Sequence, residues 1–394
     1  MMHSIPEIPI NQYDYPLPEE RIAQSALEPR DSSRLLHYNK GELTLHVFRE
    51  LPEILNATDQ LIFNDTKVIP ARIFTQNKHG AKIEVFLLHP LGTDHSMALA
   101  STETTTWACL IGNSKKWKRE DKIQIDLGQT VLILNRDDDQ AVNFSWAGGL
   151  HFSEILQLIG KIPLPPYIRH EASDEDARRY QTVFSKVEGS VAAPTAGLHF
   201  TNEVLEALRA KGVLRSFITL HVGAGTFLPV KVEDASKHPM HSESFEVSRL
   251  FVESLNNSRR TIVVGTTACR VMESLYYLAL KILTDPEIKD LSIGQFDYIG
   301  EERVLSKQEL ANILLDYMDR HGIDLIKSRT SIMIVPGYKF RLVEGLVTNF
   351  HQPKSTLLLL ISALIGEDWR QVYESALSNG FRFLSYGDSS LLVP

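Results

Sequence analysis

The chain has 394 residues, of which 43% are hydrophobic and 23% are charged. These values are typical of globular proteins and exclude a disordered or fibrous chain, and the length predicts two or three domains. Lys and Arg number 41 against 49 Asp and Glu, a formal net charge of -8, which excludes a generally basic nucleic-acid coat but allows a local basic groove.

The cysteine content and the hydropathy predict a cytoplasmic protein that binds no metal. Cys109 and Cys269 are far apart in sequence, whereas a disulfide framework needs more cysteines and a cysteine zinc site needs closer spacing. The first ten residues lack the apolar region of a signal peptide. The longest apolar run, 357–365, is too short to span a bilayer, so we expect no membrane association.

The predicted elements change character twice along the chain. Prolines at 16 and 18 predict an extended segment, Glu19 favours a helix start, and residues 61–63 form a short apolar strand that ends at Asn64-Asp65. Several closely spaced strands then predict a small β-barrel or sandwich. These strands lie at 83–88, 107–111, 122–126, 131–134 and 142–146.

Helices and buried strands alternate after Gly148-Gly149. Helices are predicted at 152–159, at 201–211 with Thr201 as cap, and at 267–280; strands at 216–220 and 261–265; and further core at 333–335 and 355–365. This alternation predicts a mixed α/β sheet. We therefore expect an α/β catalytic domain formed by 1–66 and 150–394, with an inserted β-barrel domain at 67–149.

Two glycine-rich segments are candidates for ligand contact. Residues 189–201 place small residues before His199 and Thr201 at a helix N-terminus, where free N–H groups can receive a ligand. Taken alone, this segment is better explained by a tight core turn in which Thr201 caps the helix. Gly223-Ala224-Gly225 follows a strand, but the third glycine and the helix of a Rossmann fingerprint are missing; a bulged strand is the alternative.

Three polar clusters are candidates for chemistry. His238, His241 and Glu243 suit an acid–base cluster better than a metal pair, and solvated loop histidines are the alternative. Residues 265–270 form a strand-to-helix turn, which is a usual position for a ligand. Arg270 in this turn is a candidate ligand contact; the alternative is a purely structural ion pair with Glu273, three residues later on the same helix. Residues 348–356 and 385–388 place polar groups beside apolar runs, and such groups need partners.

Taken together, these segments resemble one family, the S-adenosylmethionine:tRNA ribosyltransferase-isomerases of queuosine biosynthesis. The motifs are 13–18, 64–72, 192–201, 221–230, 238–243, 265–270, 336–338, 348–356 and 383–388. The resemblance implies an α/β catalytic domain with an inserted barrel. It also implies transfer of the ribosyl group of S-adenosylmethionine to 7-aminomethyl-7-deazaguanine at the tRNA wobble position, with isomerisation to epoxyqueuosine and release of adenine and methionine.

The resemblance also implies roles for individual residues, and S-adenosylmethionine is then a co-substrate, with no permanently bound cofactor. The proton-handling and orienting residues are His199, His221, His241, Glu243 and Asp388. The S-adenosylmethionine contacts are Thr195, Gly197, Gly223, Gly225, Thr226, Thr266, Thr267, Arg270, Asn349, His351 and Lys354. The partner is a tRNA anticodon loop with a queuosine-type wobble base, and we expect a monomer.

Basic clusters are candidates for RNA phosphate contacts, with solvated loops as the alternative. They are Lys115, Lys116, Lys118, Arg119, Arg178 and Arg179. The chain departs from the family pattern at Glu344 and Gln352, and residues 284–330 are interpreted as a lineage insertion near the rim of the site. Two other functions stay open: an S-adenosylmethionine-dependent methyltransferase, suggested by 222–225, and a non-catalytic RNA-binding protein that uses the barrel.

Overall fold

The computed structural model describes residues 7–223 and 230–394. Its strands are β1 Arg34–Asn39, β2 Glu42–Val47, β3 Asp59–Asn64, β4 Thr66–Val68, β5 Arg72–Gln76, β6 Lys82–Pro90, β7 Thr104–Gly112, β8 Ile123–Asp126, β9 Val131–Arg136, β10 Ala141–Ser145, β11 Gly160–Lys161, β12 Val187–Ser190, β13 Leu214–Leu220, β14 Glu243–Ser248, β15 Arg260–Val264, β16 Leu325–Thr330, β17 Gly345–Asn349 and β18 Ser389–Val393. Its α-helices are α1 Leu51–Ile54, α2 His95–Ala100, α3 Phe152–Ile159, α4 Asp174–Arg179, α5 Asn202–Ala210, α6 Arg249–Ser254, α7 Thr266–Thr284, α8 Lys307–His321, α9 Thr356–Ile365 and α10 Trp369–Ser378. None of the described helices combines the length and the apolar character needed to cross a bilayer.

A mixed sheet forms the centre of the molecule. In the described residues it has nine strands in the order β16-β14-β13-β3-β15-β17-β18-β1-β2. The four strands β13, β3, β15 and β17 are parallel neighbours, and antiparallel strands flank them. The carboxyl ends of the four parallel strands therefore meet at one edge of the sheet, where ligands bind in open α/β sheets.

Hydrophobic residues cover both faces of this sheet because successive strand residues point to opposite sides. Ile62 and Val263 belong to the large core that includes α7 and α9, whereas Phe63 and Val264 belong to the core that includes α5. This burial on both faces explains why these strands are continuous apolar runs in the sequence. It confirms the prediction of a mixed α/β fold.

A second sheet is formed by residues between β3 and β13. In the described part of the chain it has seven antiparallel strands in the order β11-β5-β6-β7-β10-β9-β8. It has its own core, which includes Trp107, Trp117, Phe144 and Phe152. All five predicted strands of this region are present. The core also takes in α3, and the sheet continues to Lys161, beyond the predicted boundary at 149.

The predicted helices are present, with small differences at their ends. The Thr201 hydroxyl accepts the Val204 N–H at 3.3 Å, which caps α5 as expected. The Glu19 segment forms only a three-residue 3-10 turn, Glu19–Arg21, because the chain is extended again at Ile22. Helix α8 lies within 284–330, and β16 pairs with β14 at the edge of the central sheet. The interpretation of 284–330 as an insertion stays a prediction.

Candidate active site

A cavity lies at the carboxyl ends of the parallel strands. Its wall is formed by the segments that follow β12, β13, β15 and β17, together with the start of α9. The lining residues are Tyr167, Ala192, Ala193, Pro194, Thr195, Ala196, Val222, Gly265, Thr266, Thr267, Thr348, Asn349, Phe350, His351, Gln352, Ser355, Thr356, Leu357, Leu384 and Ser385. Five of the predicted ligand contacts, Thr195, Thr266, Thr267, Asn349 and His351, are therefore brought together. We call this the main cavity.

The N-terminus of α7 faces the main cavity. Its N-cap is Gly265, whose φ of 92° favours glycine and which supplies no capping side chain. The first N–H groups of a helix lack intrahelical partners and carry partial positive charge. Thr267 adds a buried hydroxyl oxygen, which has no hydrogen-bond partner among the described residues. This end of α7 thus presents donors and one open hydroxyl to a polar ligand.

Asn349 is one of the polar residues that line the main cavity. Its Nδ2 donates to Nε2 of His199 at 3.1 Å and to the Asp388 carbonyl at 3.4 Å. Its Oδ1 is buried and, within the described chain, accepts no hydrogen bond. A buried acceptor without a partner is costly, so Asn349 is oriented to receive a donor from a ligand.

His199 supports Asn349 from behind and does not line the main cavity. Because its Nε2 accepts from the Asn349 amide, the hydrogen-bond partners assign the proton to Nδ1, which donates to Ser33 Oγ at 2.8 Å. Burial lowers the pKa of His199 to about 3, so the ring is neutral. The structure places His199 as a positioning residue for Asn349; its predicted role in proton transfer stays untested.

His351 also lines the main cavity. Its Nε2 shares a hydrogen bond of 2.9 Å with Thr348 Oγ1, and burial lowers its pKa to about 3. Its backbone is fixed by two tyrosines: its N–H donates to Tyr373 Oη at 3.1 Å, and its carbonyl accepts from Tyr15. The N-terminal motif at 13–18 therefore reaches the site through the backbone of His351.

A second, smaller cavity adjoins the main cavity, and the two share Thr356 and Leu357. Its lining residues are His238, Met240, His241, Glu243, Arg270, Ile332, Met333, Ile334, Thr356, Leu357 and Leu360. His241 is exposed at its rim, whereas Glu243 and Arg270 are buried. We call this the second cavity.

Arg270 pairs with Glu243, and the expected alternative pair with Glu273 is wrong. Nη1 of Arg270 contacts Glu243 Oε2, and Nε donates to the Ile332 carbonyl at 3.1 Å. The Gly223 N–H donates to Oε1 of Glu243 at 3.2 Å. Glu273 points elsewhere because its carboxylate accepts the Tyr338 hydroxyl and backbone N–H groups of a neighbouring loop. The buried charges at the second cavity thus come from segments 27 residues apart.

His221 lies outside both cavities. Val222, its neighbour, lines the main cavity, and His221 points towards the second sheet, with its Nδ1 3.0 Å from Thr66 Oγ1 and its ring 4.4 Å from that of His95. Glycine is required at 189 because a Cβ there would lie 2.7 Å from the His221 ring. Among the described residues His221 lines neither cavity, and its predicted role in proton transfer stays a prediction.

Gly197, Lys354 and Asp388 also have structural partners away from the cavity lining. A Cβ on Gly197 would lie 2.8 Å from Phe184, so this glycine permits packing in the core. Lys354 forms an ion pair of 2.8 Å with Asp14. Both carboxylate oxygens of Asp388 accept backbone N–H groups. Gly225 and Thr226, the remaining predicted contacts, lie outside the described residues.

The predicted RNA contacts do not form one cluster in this structure. Lys115 and Lys116 lie on an exposed 3-10 turn, and Lys118 is exposed just after it. Arg119 pairs with Asp139 at 3.2 Å. On α4, Arg178 is exposed, and Arg179 pairs with Glu28 and Glu175. Their contact with RNA stays a prediction.

Sequence reasoning did not identify Tyr167 as a cavity residue. It lies in the proline-rich loop, and its hydroxyl forms a hydrogen bond of 2.6 Å with Ser385 Oγ. Burial raises the pKa of Tyr167 to about 12. The prolines predicted an extended loop, but no periodicity in such a loop shows which residue faces a cavity.

The buried histidines make the fold sensitive to acid. Burial lowers the pKa of His221 to about 4, below the value of about 6.5 expected for the unfolded chain. Between these values the unfolded chain binds a proton that the folded chain does not, so stability falls as the pH drops through this window. We expect His221→Gln to remove about 2 kcal/mol of the stability lost between pH 7 and pH 5.

Urea unfolding at both pH values measures this effect. His79→Gln is the matched control because His79 is exposed, and its pH dependence should follow that of the original chain. A His221→Gln variant that loses as much stability as the original chain would contradict the assignment.

The site is a cavity at the carboxyl ends of parallel strands, beside a helix N-terminus, and it contains buried polar atoms that have no hydrogen-bond partner among the described residues. These features are typical of an α/β protein with a binding site for a polar small molecule. The model of the family described as "queuosine biosynthesis protein" matches residues 10–392. The chain belongs to that family, as the sequence motifs predicted.

Similar relatives carry the name S-adenosylmethionine:tRNA ribosyltransferase-isomerase. The relative from Desulfitobacterium hafniense is 40% identical, over 98% of this chain and 99% of its own length. The relative from Zymomonas mobilis is 37% identical over the same shares. The crystal structure of S-adenosylmethionine tRNA ribosyltransferase from Thermotoga maritima is 27% identical, covers 97% of this chain and 100% of its own, and has a TM-score of 0.48.

Proposed function

We propose that the protein transfers and isomerises the ribosyl group of S-adenosylmethionine onto 7-aminomethyl-7-deazaguanine at the tRNA wobble position. The products are epoxyqueuosine in tRNA, free adenine and free methionine. The observation that carries this proposal is the similarity to relatives of that name over nearly the whole of both chains. The pair of adjoining cavities supports it, because S-adenosylmethionine has two chemically different halves.

The adenosine half is assigned to the main cavity. The open Oδ1 of Asn349 suits an amino donor such as the adenine N6 group, and the Thr267 hydroxyl suits a ribose or base nitrogen. His199 and Ser33 hold the Asn349 amide in this orientation. A ligand that supplies the missing hydrogen bonds removes the cost of burying these two atoms.

The methionine half is assigned to the second cavity. Arg270 suits the carboxylate, and Glu243 suits the ammonium group. Leu357, Leu360 and the polarisable side chain of Met333 form an apolar wall for the methionine chain. Arg270 and Glu243, which pair with each other in this structure, then each bind the oppositely charged group of the ligand. The two buried charges therefore stay compensated.

The reaction needs proton transfers at the junction of the cavities. The sulfonium acidifies the C5′ hydrogens, so a base can form an ylide, and adenine leaves with a proton. The aminomethyl nitrogen of the tRNA base attacks the sugar, and closure of the epoxide expels methionine. His241 is proposed as the base because it lies at the rim of the second cavity, on the side of the methionine half.

We expect His241→Ala to lower kcat for adenine release by about 100-fold, the contribution of a positioned proton-transfer group. The Kd for tRNA should stay within about 2-fold, because the substitution removes no charge pair on the surface. Ser242→Ala is the matched control and should keep the original kcat, because Ser242 is the exposed neighbour of His241 and is not among the described residues that line either cavity. Equal kcat values for His241→Ala and the original protein would refute this assignment of the base.

The test of the function follows the fate of S-adenosylmethionine. Incubation with tRNA that carries the 7-aminomethyl base should release adenine and methionine in equal amounts, matching the S-adenosylmethionine consumed. The same tRNA with guanine at the wobble position is the control and should give no release. Formation of S-adenosylhomocysteine would support the methyltransferase alternative, and tRNA binding without turnover would support the non-catalytic alternative.

We also propose the domain arrangement and setting. The α/β unit, 1–66 with 150–394, carries the catalytic site, and 67–149 form an inserted barrel, a view supported by the separate core of the second sheet. The strand β11 and helix α3 join that core, so the proposed unit extends to about Lys161. We expect a cytoplasmic monomer whose contact with the tRNA involves both units.

A further inference from the structure

An aromatic side chain on the second sheet is exposed between two cations. Phe74 on β5 is 51% exposed, whereas its neighbour Ile73 is buried in the core of that sheet. Arg72 lies two residues away on the same face of the strand, and its guanidinium carbon is 5.3 Å from the Phe74 ring centroid. Lys161 on β11 is opposite Arg72 in register, and its Nζ is 5.8 Å from the same centroid. The ring therefore has open area and cationic flanks.

Phe74 forms part of a groove of about 470 Å³. The opposite wall is the proline-rich loop. The lining residues are Arg72, Phe74, Lys161, Ile162, Leu164, Pro165, Pro166, Ile168, Arg169, His170, Glu171 and Ala172. The mechanism assigned above uses none of these residues, and neither do the basic clusters predicted from the sequence.

The groove and the main cavity share this loop as a common wall. Pro166 and Ile168 line the groove, while Tyr167, the residue between them, lines the main cavity and contacts Ser385. At this point a single residue of the loop therefore separates the groove from the main cavity. This adjacency indicates that the two sites serve one extended substrate.

We propose that Phe74, Arg72 and Lys161 form a stacking site for a base of single-stranded RNA, namely the base of the anticodon-loop nucleotide next to the wobble nucleotide. Bases of single-stranded RNA stack on exposed aromatic rings, and neighbouring cations contact the phosphates. This proposal rests on the proposed function, because it takes tRNA as the substrate.

The cations of the groove are separate, and each is partly neutralised by a carboxylate. This arrangement fits an RNA strand better than an acidic peptide, which needs one strong cationic centre. Arg72, Lys161 and Arg169 each have a carboxylate nearby, at 2.6, 3.9 and 2.8 Å. These ion pairs are partly exposed and contribute little energy, so phosphates can replace the carboxylates. The stacking surface then supplies most of the selectivity for unpaired bases, which double-stranded RNA does not offer.

The test compares Phe74→Ala with Phe74→Trp and with Leu110→Ala. Leu110 is the matched control, because it is a 49% exposed apolar residue on β7 of the same sheet. The probe is a synthetic anticodon stem–loop RNA with the fluorescent base 2-aminopurine beside the wobble position. Stacking on the protein changes the fluorescence of this base when the stem–loop binds.

Phe74→Ala should raise the Kd for the stem–loop and the KM for tRNA by roughly 10- to 100-fold, the range for one stacked base. The fluorescence change should disappear, while kcat at saturating tRNA and the KM for S-adenosylmethionine stay as in the original protein. Phe74→Trp should keep the Kd for the stem–loop close to that of the original protein, because an indole ring also stacks on bases. Unchanged Kd and fluorescence in Phe74→Ala would overturn the proposal. Failure of the proposed function is distinct, because then the original protein itself releases no adenine.

Discussion

Arg270→Ala is expected to weaken binding of S-adenosylmethionine by roughly 1,000-fold, because it removes one half of a buried charge pair. The guanidinium holds the Glu243 carboxylate and the Ile332 carbonyl in the original protein. In the proposed complex the same guanidinium binds the carboxylate of the methionine half. The substitution therefore removes a ligand contact and the guanidinium that pairs with Glu243.

Binding measurements with two ligands separate the loss of this contact from a general collapse of the site. 5′-Methylthioadenosine lacks the amino-acid group, so its Kd should change by less than about 5-fold in Arg270→Ala. Arg249→Ala is the matched control, since Arg249 forms ion pairs of 2.7 and 3.0 Å at the surface. An equal loss of affinity for both ligands would mean that Arg270 only maintains the structure. An unchanged affinity for S-adenosylmethionine would exclude Arg270 from the ligand site.

Glu273→Ala is expected to lower the free energy of unfolding by about 4 kcal/mol. Glu273 is fully buried on α7. Its two oxygens accept the Tyr338 hydroxyl at 2.7 Å and three backbone N–H groups, those of Arg341, Leu342 and Val343, at 2.9 to 3.0 Å. Alanine leaves these donors buried without an acceptor, and it also detaches from α7 the loop that precedes β17.

Urea unfolding at pH 7 measures the effect. Glu309→Ala is the control: Glu309 is an exposed helix carboxylate that caps α8 by accepting the Ser306 N–H at 2.8 Å, and its loss should cost about 1 kcal/mol. If Glu273→Ala lost no more stability than Glu309→Ala, the buried network would not be the anchor of this loop.

Many of the strands and helices were predictable because local patterns determine them. Apolar runs such as 261–264 are buried on both faces of the central sheet, and Thr201 caps α5 through a contact with Val204, three residues away. The segment 265–270 was also correctly expected at a turn from a strand to a helix. Topology then brings the ends of β15 and β17 together, because parallel neighbours share an edge.

The side-chain partners within the site were less predictable. Sequence proximity favoured Glu273 for Arg270, but the chain reversal between β14 and α7 brings Glu243 closer. A difference of one residue decides that Val222 and not His221 faces the main cavity. Both outcomes depend on packing between distant segments, which local spacing does not encode.

The most direct measurement of the central claim traces the ribose carbons of S-adenosylmethionine. The protein is incubated with tRNA that carries the 7-aminomethyl base and with S-adenosylmethionine. The S-adenosylmethionine is labelled with 13C either in the ribose or in the methyl group. Mass spectrometry then measures the mass of the wobble nucleoside. Ribosyl transfer predicts that the ribose label enters the tRNA and that the methyl label leaves in methionine. Methyl label in the tRNA, with the ribose label left in S-adenosylhomocysteine, would contradict it.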